Sequence, residues 1–344
     1  MANGPSPWHK SHREDFTIII RHVLTAAIAL LAAVPAAAVT TCDAVWRDPV
    51  RGRDLPLRIR LPDGRGKVPV VLWSPGLGGD TSGGADWATA WVERGLAVVH
   101  LEHPGSNALV YKEAAAAVAA APDAEAGRKA REARIRQAAN GAQLAARVRD
   151  AGFVLGRLGA MGQEGACNLA RIDTARAGIA GHSMGAWVVQ AVAGQRFANG
   201  FSMEDSRFRA GLALSGVALT AGSLGAAFGR IGIPYFAITS TADGLPLSLD
   251  PQKRAGAVAE RIAPWRAMPP GEKYLLLFEG GDHMAFAGNR VRPGTPDARI
   301  HAAVRAASAA FWGATLLGDA KDAAFLKRQG LGGLLAAGDR LEAK

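Results

Sequence analysis

A serine flanked by glycines, Gly181-His182-Ser183-Met184-Gly185, fits the spacing G-x-S-x-G. In this pattern the hydroxyl is offered as a nucleophile on a sharp strand-to-helix turn, where the crowded backbone leaves room only for small flanking residues. The pentapeptide alone is a weak signal, because chance supplies it in roughly one chain in five of this length and glycine content. Its setting gives it weight. Ala177-Gly178-Ile179-Ala180 leads straight into Gly181, and a helical run over 186–193 follows. A helix starting there would also stabilise negative charge developing beside the serine. A near-copy, Ala221-Gly222-Ser223-Leu224-Gly225, lies several residues past a strand and reads as a loop or helix start.

A serine hydroxyl needs a base, and histidine is the usual one near neutral pH. Of the eight histidines, His9, His12 and His22 lie in a leader-like segment, and His100 and His103 belong to a strand end before Ser183. His182 flanks the serine and is expected to pack, and His301 falls in a terminal helix as a surface or packing residue. His283, in Gly281-Asp282-His283 after the last strand, satisfies the order Ser, acid, His. The acid should follow the preceding strand, which nominates Asp243; Asp250 and Asp282 are its rivals, the latter pointing elsewhere because it abuts the histidine. Its work would be to fix the imidazole tautomer and stabilise the imidazolium. The oxyanion of acyl transfer needs two backbone N–H donors. Met184 supplies one, and Leu77 in the glycine-rich segment 74–79 is expected to supply the other, since Pro75 has no N–H. That segment fits neither phosphate-binding fingerprint, G-x-x-x-x-G-K-[ST] or G-x-G-x-x-G.

These residues must be held by a regular frame. Apolar runs at 68–73, 96–101, 175–180, 208–214, 233–239 and 274–278 read as strands. Helical stretches at 85–94, 143–158 and 299–317 alternate with them, which predicts an α/β fold: a mostly parallel central sheet with helices on both faces. Segments near Val45 and at 57–60 are expected to form an antiparallel edge. From about 108 to 142 the rhythm breaks into an Ala-rich, charged, helix-prone insertion with few large apolar residues, either a partial lid or a plain surface helix.

The chain has 344 residues, 49% hydrophobic and 20% charged, which excludes disordered and collagen-like classes. The net charge of +10 is dispersed, with no zinc-finger spacing or long basic run, so nucleic acid is not an expected partner. Lys10, Arg13 and Arg21 precede an apolar stretch over 23–39 that ends in Pro35-Ala36-Ala37-Ala38. This reads as a signal peptide over residues 1–38, ahead of one domain over 39–344 that acts in the periplasm or is secreted. No other segment reaches membrane length, so no stable span is expected after cleavage. Cys42 and Cys167 permit one disulfide in an exported protein; two free thiols are the alternative. Neither has a second ligand at metal spacing, and no metal or cofactor is expected.

The segment 74–79, His103-Pro104-Gly105-Ser106, Gly181–Gly185, Asp243 and Gly281-Asp282-His283, taken in order, resemble the α/β-hydrolase superfamily. More narrowly the chain is similar to bacterial proteins related to platelet-activating-factor acetylhydrolase and to predicted dienelactone hydrolases. The likeness covers about residues 45–320 and includes Arg51-Gly52-Arg53-Asp54-Leu55-Pro56 and Phe311-Trp312. Pro75 stands where the family's first loop usually carries histidine, and Ser183 where true dienelactone hydrolases carry a cysteine nucleophile. The resemblance implies cofactor-free hydrolysis of a small-molecule or lipid ester through a Ser–His–Asp triad. Acyl transfer, polyester hydrolysis and a non-catalytic binding role on the same fold are the alternatives.

Overall fold

The computed structural model describes residues 38–344 except 221, 246, 247, 249, 290–295, 328 and 329; the expected leader, save Ala38, lies outside the described residues. The chain opens with two long strands, β1 (Val39–Asp48) and β2 (Arg53–Pro62), paired antiparallel. Leu55, Leu57, Ile59 and Leu61 of β2 are buried on alternate positions while the residues between them are partly open, the period of a strand with one covered face.

The six expected strands follow as β3 (Val68–Ser74), β4 (Ala97–Leu101), β5 (Ile172–His182), β6 (Phe208–Leu214), β7 (Tyr235–Ser240) and β8 (Lys273–Phe278). With β1, β2 and a last strand β9 (Arg340–Ala343) they form a nine-stranded sheet in the order β1-β2-β4-β3-β5-β6-β7-β8-β9. Pairing is parallel from β4 through β3 to β8 and antiparallel at both edges. The inner strands are apolar nearly throughout because both faces are covered: Val70 and Leu72 join one core, Val71 and Trp73 the other. Helices α4 (Gly141–Ala160), α5 (Met184–Val192) and α8 (Val258–Ala267) pack into the first core. Helices α1 (Ala85–Glu93) and α9 (Pro296–Trp312) pack into the second, around the ring contacts of Trp91 with Trp73 and Trp312.

Three features depart from or extend the sequence expectations. The terminal helix does not run unbroken over 299–317; α9 ends at Trp312 and the chain widens into a π-type turn over Gly313–Leu317. A ninth strand, β9 (Arg340–Ala343), pairs with β8 through Leu276 and Leu341; its sequence Arg-Leu-Glu-Ala has one apolar residue and no readable alternation. The insertion forms a helical hairpin, α2 (Leu109–Ala119) and α3 (Ala124–Ala138), anchored by Val110, Ala114, Ile135 and Ala138. Short helices α6 (Leu224–Phe228), α7 (Pro251–Ala255) and α10 (Ala320–Phe325) complete the fold. Cys42 on β1 and Cys167 in the loop before β5 are disulfide-bonded across 125 residues. Among the described residues, no helix is long and apolar enough to cross a membrane.

Candidate active site

Strand β5 carries its apolar run to His182, and the next residue is Ser183, at φ 55° and ψ −115°. Such a backbone is rare for a residue with a side chain and costs about 1–3 kcal/mol, sustained only where the surroundings over-determine it. Here Ser183 N–H donates to Leu214 O of β6 at 2.9 Å, and Ser183 O accepts Ala186 N–H at 2.9 Å as α5 begins. The flanking glycines are required by contact. A Cβ on Gly185 would lie 1.9 Å from Ser74 O, and one on Gly181 would lie 2.4 Å from Gly185 O. The turn therefore presses against the end of β3, and lifts the serine hydroxyl above the sheet.

His283 sits on the loop after β8, in a single helical turn capped by Asp282, whose carboxylate accepts Met284 and Ala285 N–H groups. Gly280 and Gly281, both at positive φ, turn the chain back over the sheet. His283 Nε2 lies 2.9 Å from Ser183 Oγ, and its Nδ1 lies 2.8 Å from Asp243 Oδ1. Nδ1 then carries the proton given to the carboxylate, which leaves Nε2 to accept from the serine. Asp243, at the end of β7, is fully buried and its Oδ2 accepts from Thr239 Oγ1 at 2.7 Å. Asp250 instead caps α7 by accepting Gln252 N–H. Ser183, Asp243 and His283 are thus brought together, whereas the rival acids serve local caps.

Two neighbours complete the triple. His182 packs, as expected: its Nε2–H donates to His283 O at 2.9 Å and the two rings are 4.7 Å apart. Burial, with the nearby His283 adding to it, pushes its pKa down to about 3, so it is a neutral prop. Arg261 of α8 was not foreseen. It approaches Asp243 Oδ1 at 3.0 Å and donates to the backbone carbonyls of Ser215, Asp243 and Gly244. Burial pushes the Asp243 carboxyl upward, but His283 and Arg261 outweigh it and hold the group below the usual carboxylate range. A charged residue on an amphipathic helix ordinarily faces water, so nothing in the sequence marked Arg261 as buried.

Ser183 and His283 line a cavity of about 730 Å³, with Asp243 buried behind them. Leu77, Met184, Trp187, Val217 and Leu245 give it apolar walls; Asp80, Ser82, Lys253 and Asn289 add polar ones. Tyr111 and Ala139 of the insertion also line it, and Tyr111 Oη donates to Leu77 O at 3.4 Å. The insertion is therefore part of the cavity wall. Leu77 and Met184 line the same cavity as Ser183, and no hydrogen bond among the described residues engages their N–H groups. Met184 opens α5, where first-turn N–H groups have no partner within the helix.

A second Ser–His–Asp arrangement lies behind this one. His103 Nδ1–H donates to Asp150 Oδ2 at 2.9 Å, and its Nε2 stands 2.9 Å from Ser74 Oγ. Ser74 and His103 are 0% exposed and Asp150 is 1% exposed, so no substrate reaches them. Their role is to tie β3 and the chain after β4 to α4. Near-total burial of the base is what separates this group from the one at Ser183. Among the described residues, no three His, Cys, Asp or Glu side chains gather as a metal site requires. A further groove of about 780 Å³ between α1 and α9, lined by Asp86, His301 and Arg305, contains no nucleophile. Compared with models of known protein families and with curated protein sequences, the chain matches none.

Proposed function

We propose that this protein is a serine esterase of the α/β-hydrolase kind, hydrolysing carboxylic esters through an acyl-enzyme. One observation carries the reading: the hydrogen-bonded chain from Ser183 Oγ through His283 to Asp243, at 2.9 Å and 2.8 Å, with Ser183 and His283 on the wall of a largely apolar cavity. The strained strand-to-helix turn and the chain order Ser, Asp, His support it. The bonded cysteines and the leader-like N-terminus support an exported protein, periplasmic or secreted.

In this mechanism Ser183 Oγ attacks the ester carbonyl carbon while His283 Nε2 takes its proton. Asp243, kept ionised, stabilises the resulting imidazolium. The N–H groups of Leu77 and Met184 bind the oxyanion. The tetrahedral adduct collapses, the alcohol leaves with the proton from His283, and water repeats the sequence on the acyl-enzyme to release the acid. The apolar walls receive the acyl or alcohol chain.

The test is hydrolysis of p-nitrophenyl esters from acetate to dodecanoate by the unaltered protein and by Ser183→Ala. The unaltered protein should turn over, and the variant should lose on the order of 10⁴-fold or more in kcat. Equal rates from both would refute the assignment. Adding an alcohol and searching for its ester among the products separates acyl transfer from hydrolysis.

A further inference from the structure

The loop 75–79 is held from below by one buried side chain. Arg147 of α4, 0% exposed, donates from Nε to Ser106 Oγ at 2.8 Å and from Nη1 to Pro75 O at 2.5 Å. Its Nη2 donates to Gly76 O and to Ser106 O, each at 3.1 Å. Ser106 O also accepts Gly78 N–H at 2.9 Å, and Gly76 O accepts Gly79 N–H at 3.2 Å. The second bond closes a four-residue turn whose third residue, Gly78, has φ 76°, as a type II turn requires. Among the described residues, two N–H groups of this loop are left without a partner, those of Gly76 and Leu77, and the second is the one expected at the oxyanion.

No carboxylate pairs directly with Arg147 among the described residues; Asp150, one turn along α4, is taken by Arg51, Arg53 and His103. Burying a guanidinium is costly, and a neutral donor could hold a loop. A charge does something more. The Gly76 carbonyl and the Leu77 N–H belong to one planar trans peptide group, so the two bonds point in opposite directions. A cation fixed on the carbonyl oxygen therefore fixes the direction of the N–H and polarises its hydrogen. This peptide borders the nucleophile, since a Cβ on Gly76 would lie 3.5 Å from Ser183 Cβ.

We infer that Arg147 is a positioning residue for the oxyanion hole, aiming and polarising the Leu77 N–H through the Gly76 carbonyl. The inference rests on the esterase reading above. Arg147 does not touch substrate, so its loss should act on the transition state and leave ground-state binding alone.

The experiment compares Arg147→Met and Arg147→Lys with the unaltered protein, folding being checked by circular dichroism and thermal melting. Three readouts are taken: kcat and KM for p-nitrophenyl acetate, inhibition by a trifluoromethyl ketone, and inhibition by a neutral amide isostere of the ester. Addition of Ser183 Oγ to the ketone carbon, with the serine proton passing to His283, creates an oxyanion in the hole; the amide reports ground-state binding. Deleting a whole oxyanion donor costs about 10²–10³-fold, so misaiming one in Arg147→Met should lower kcat on the order of 10–100-fold. KM and amide affinity should stay within about 3-fold, with ketone affinity falling in step with kcat/KM. Arg147→Lys keeps a charge but lacks the fork, and should fall between the two.

A folded Arg147→Met with unchanged kcat and ketone affinity, or with a raised KM alone, would overturn the inference. Should that variant fail to fold, Arg147→Lys decides, and unchanged kcat and ketone affinity in it would overturn the inference equally. If the unaltered protein neither hydrolyses the ester nor binds the ketone, the esterase reading falls and takes this inference with it. If the unaltered protein is active and the variants match it, the esterase reading stands and only the role of Arg147 is wrong.

Discussion

Asp243 is shared between two neighbours, the imidazole it must orient and the Arg261 guanidinium that reaches the same oxygen at 3.0 Å. Removing Arg261 would leave the buried carboxylate to His283 and Thr239 and take the donor from three backbone carbonyls. Breaking a buried pair from one side typically costs about 3–5 kcal/mol, so Arg261→Met should unfold at markedly lower urea concentration and lose kcat. Retention of wild-type stability would show that the charge is dispensable. Asp243→Asn should keep the fold more nearly intact yet lose roughly 10³–10⁴-fold in kcat, because an amide permits the wrong imidazole tautomer. Ser183, Asp243 and His283 could be nominated from the sequence because each follows an apolar run that ends in a turn, and the structure brings the three together. Arg261, Arg147 and the Ser74–His103–Asp150 triple could not be, because each is a polar side chain whose burial depends on partners far away in sequence.

At the scale of elements, the elbow is a backbone-to-backbone contact between the start of α5 and the end of β3. A methyl group at Gly185 would overlap Ser74 O, which the strand cannot move without breaking its ladder. Gly185→Ala should therefore fail to accumulate as folded protein or lose activity with stability, as soluble yield and melting would reveal. A fully active, stable Gly185→Ala would contradict the packing described. The disulfide ties β1 at the sheet edge to the loop before β5 across 125 residues. Closing a loop of that size in the unfolded chain is worth about 2–5 kcal/mol, so reduction should lower the melting temperature by roughly 3–8 °C. The inner strands could be read from sequence because burial on both faces demands unbroken apolar runs. β9 could not, since it borrows its pairing from β8, and the hairpin of α2 and α3 showed helix propensity without revealing which way it would lean.

Among the described residues of the molecule, His100, His103 and His182 are buried neutral. Burial foremost, with Arg60 near His100, Arg147 near His103 and His283 near His182, pushes their pKa values down to about 3, 4 and 3 from an ordinary 6.5. Above pH 6.5 both folded and unfolded states leave them uncharged, so they add no pH dependence. Below it the unfolded chain takes up protons that the folded chain refuses, and stability falls as pH drops towards 4 and 3. Each group can contribute about 1 kcal/mol per pH unit in that window. The urea midpoint should accordingly begin to fall between pH 7 and 5, ahead of carboxylate titration; a midpoint flat to pH 4.5 would show that these rings are hydrated or charged in the fold. The same burial makes the triple at His103 a strut, whereas His283 lies on the cavity wall.

The most direct measurement is covalent mapping with a fluorophosphonate. The unaltered protein should gain the mass of a single adduct, peptide analysis should locate it on Ser183, and His283→Gln should slow its formation by orders of magnitude. An adduct on another residue, or none in a protein that still hydrolyses esters, would contradict the assignment of Ser183 as the nucleophile.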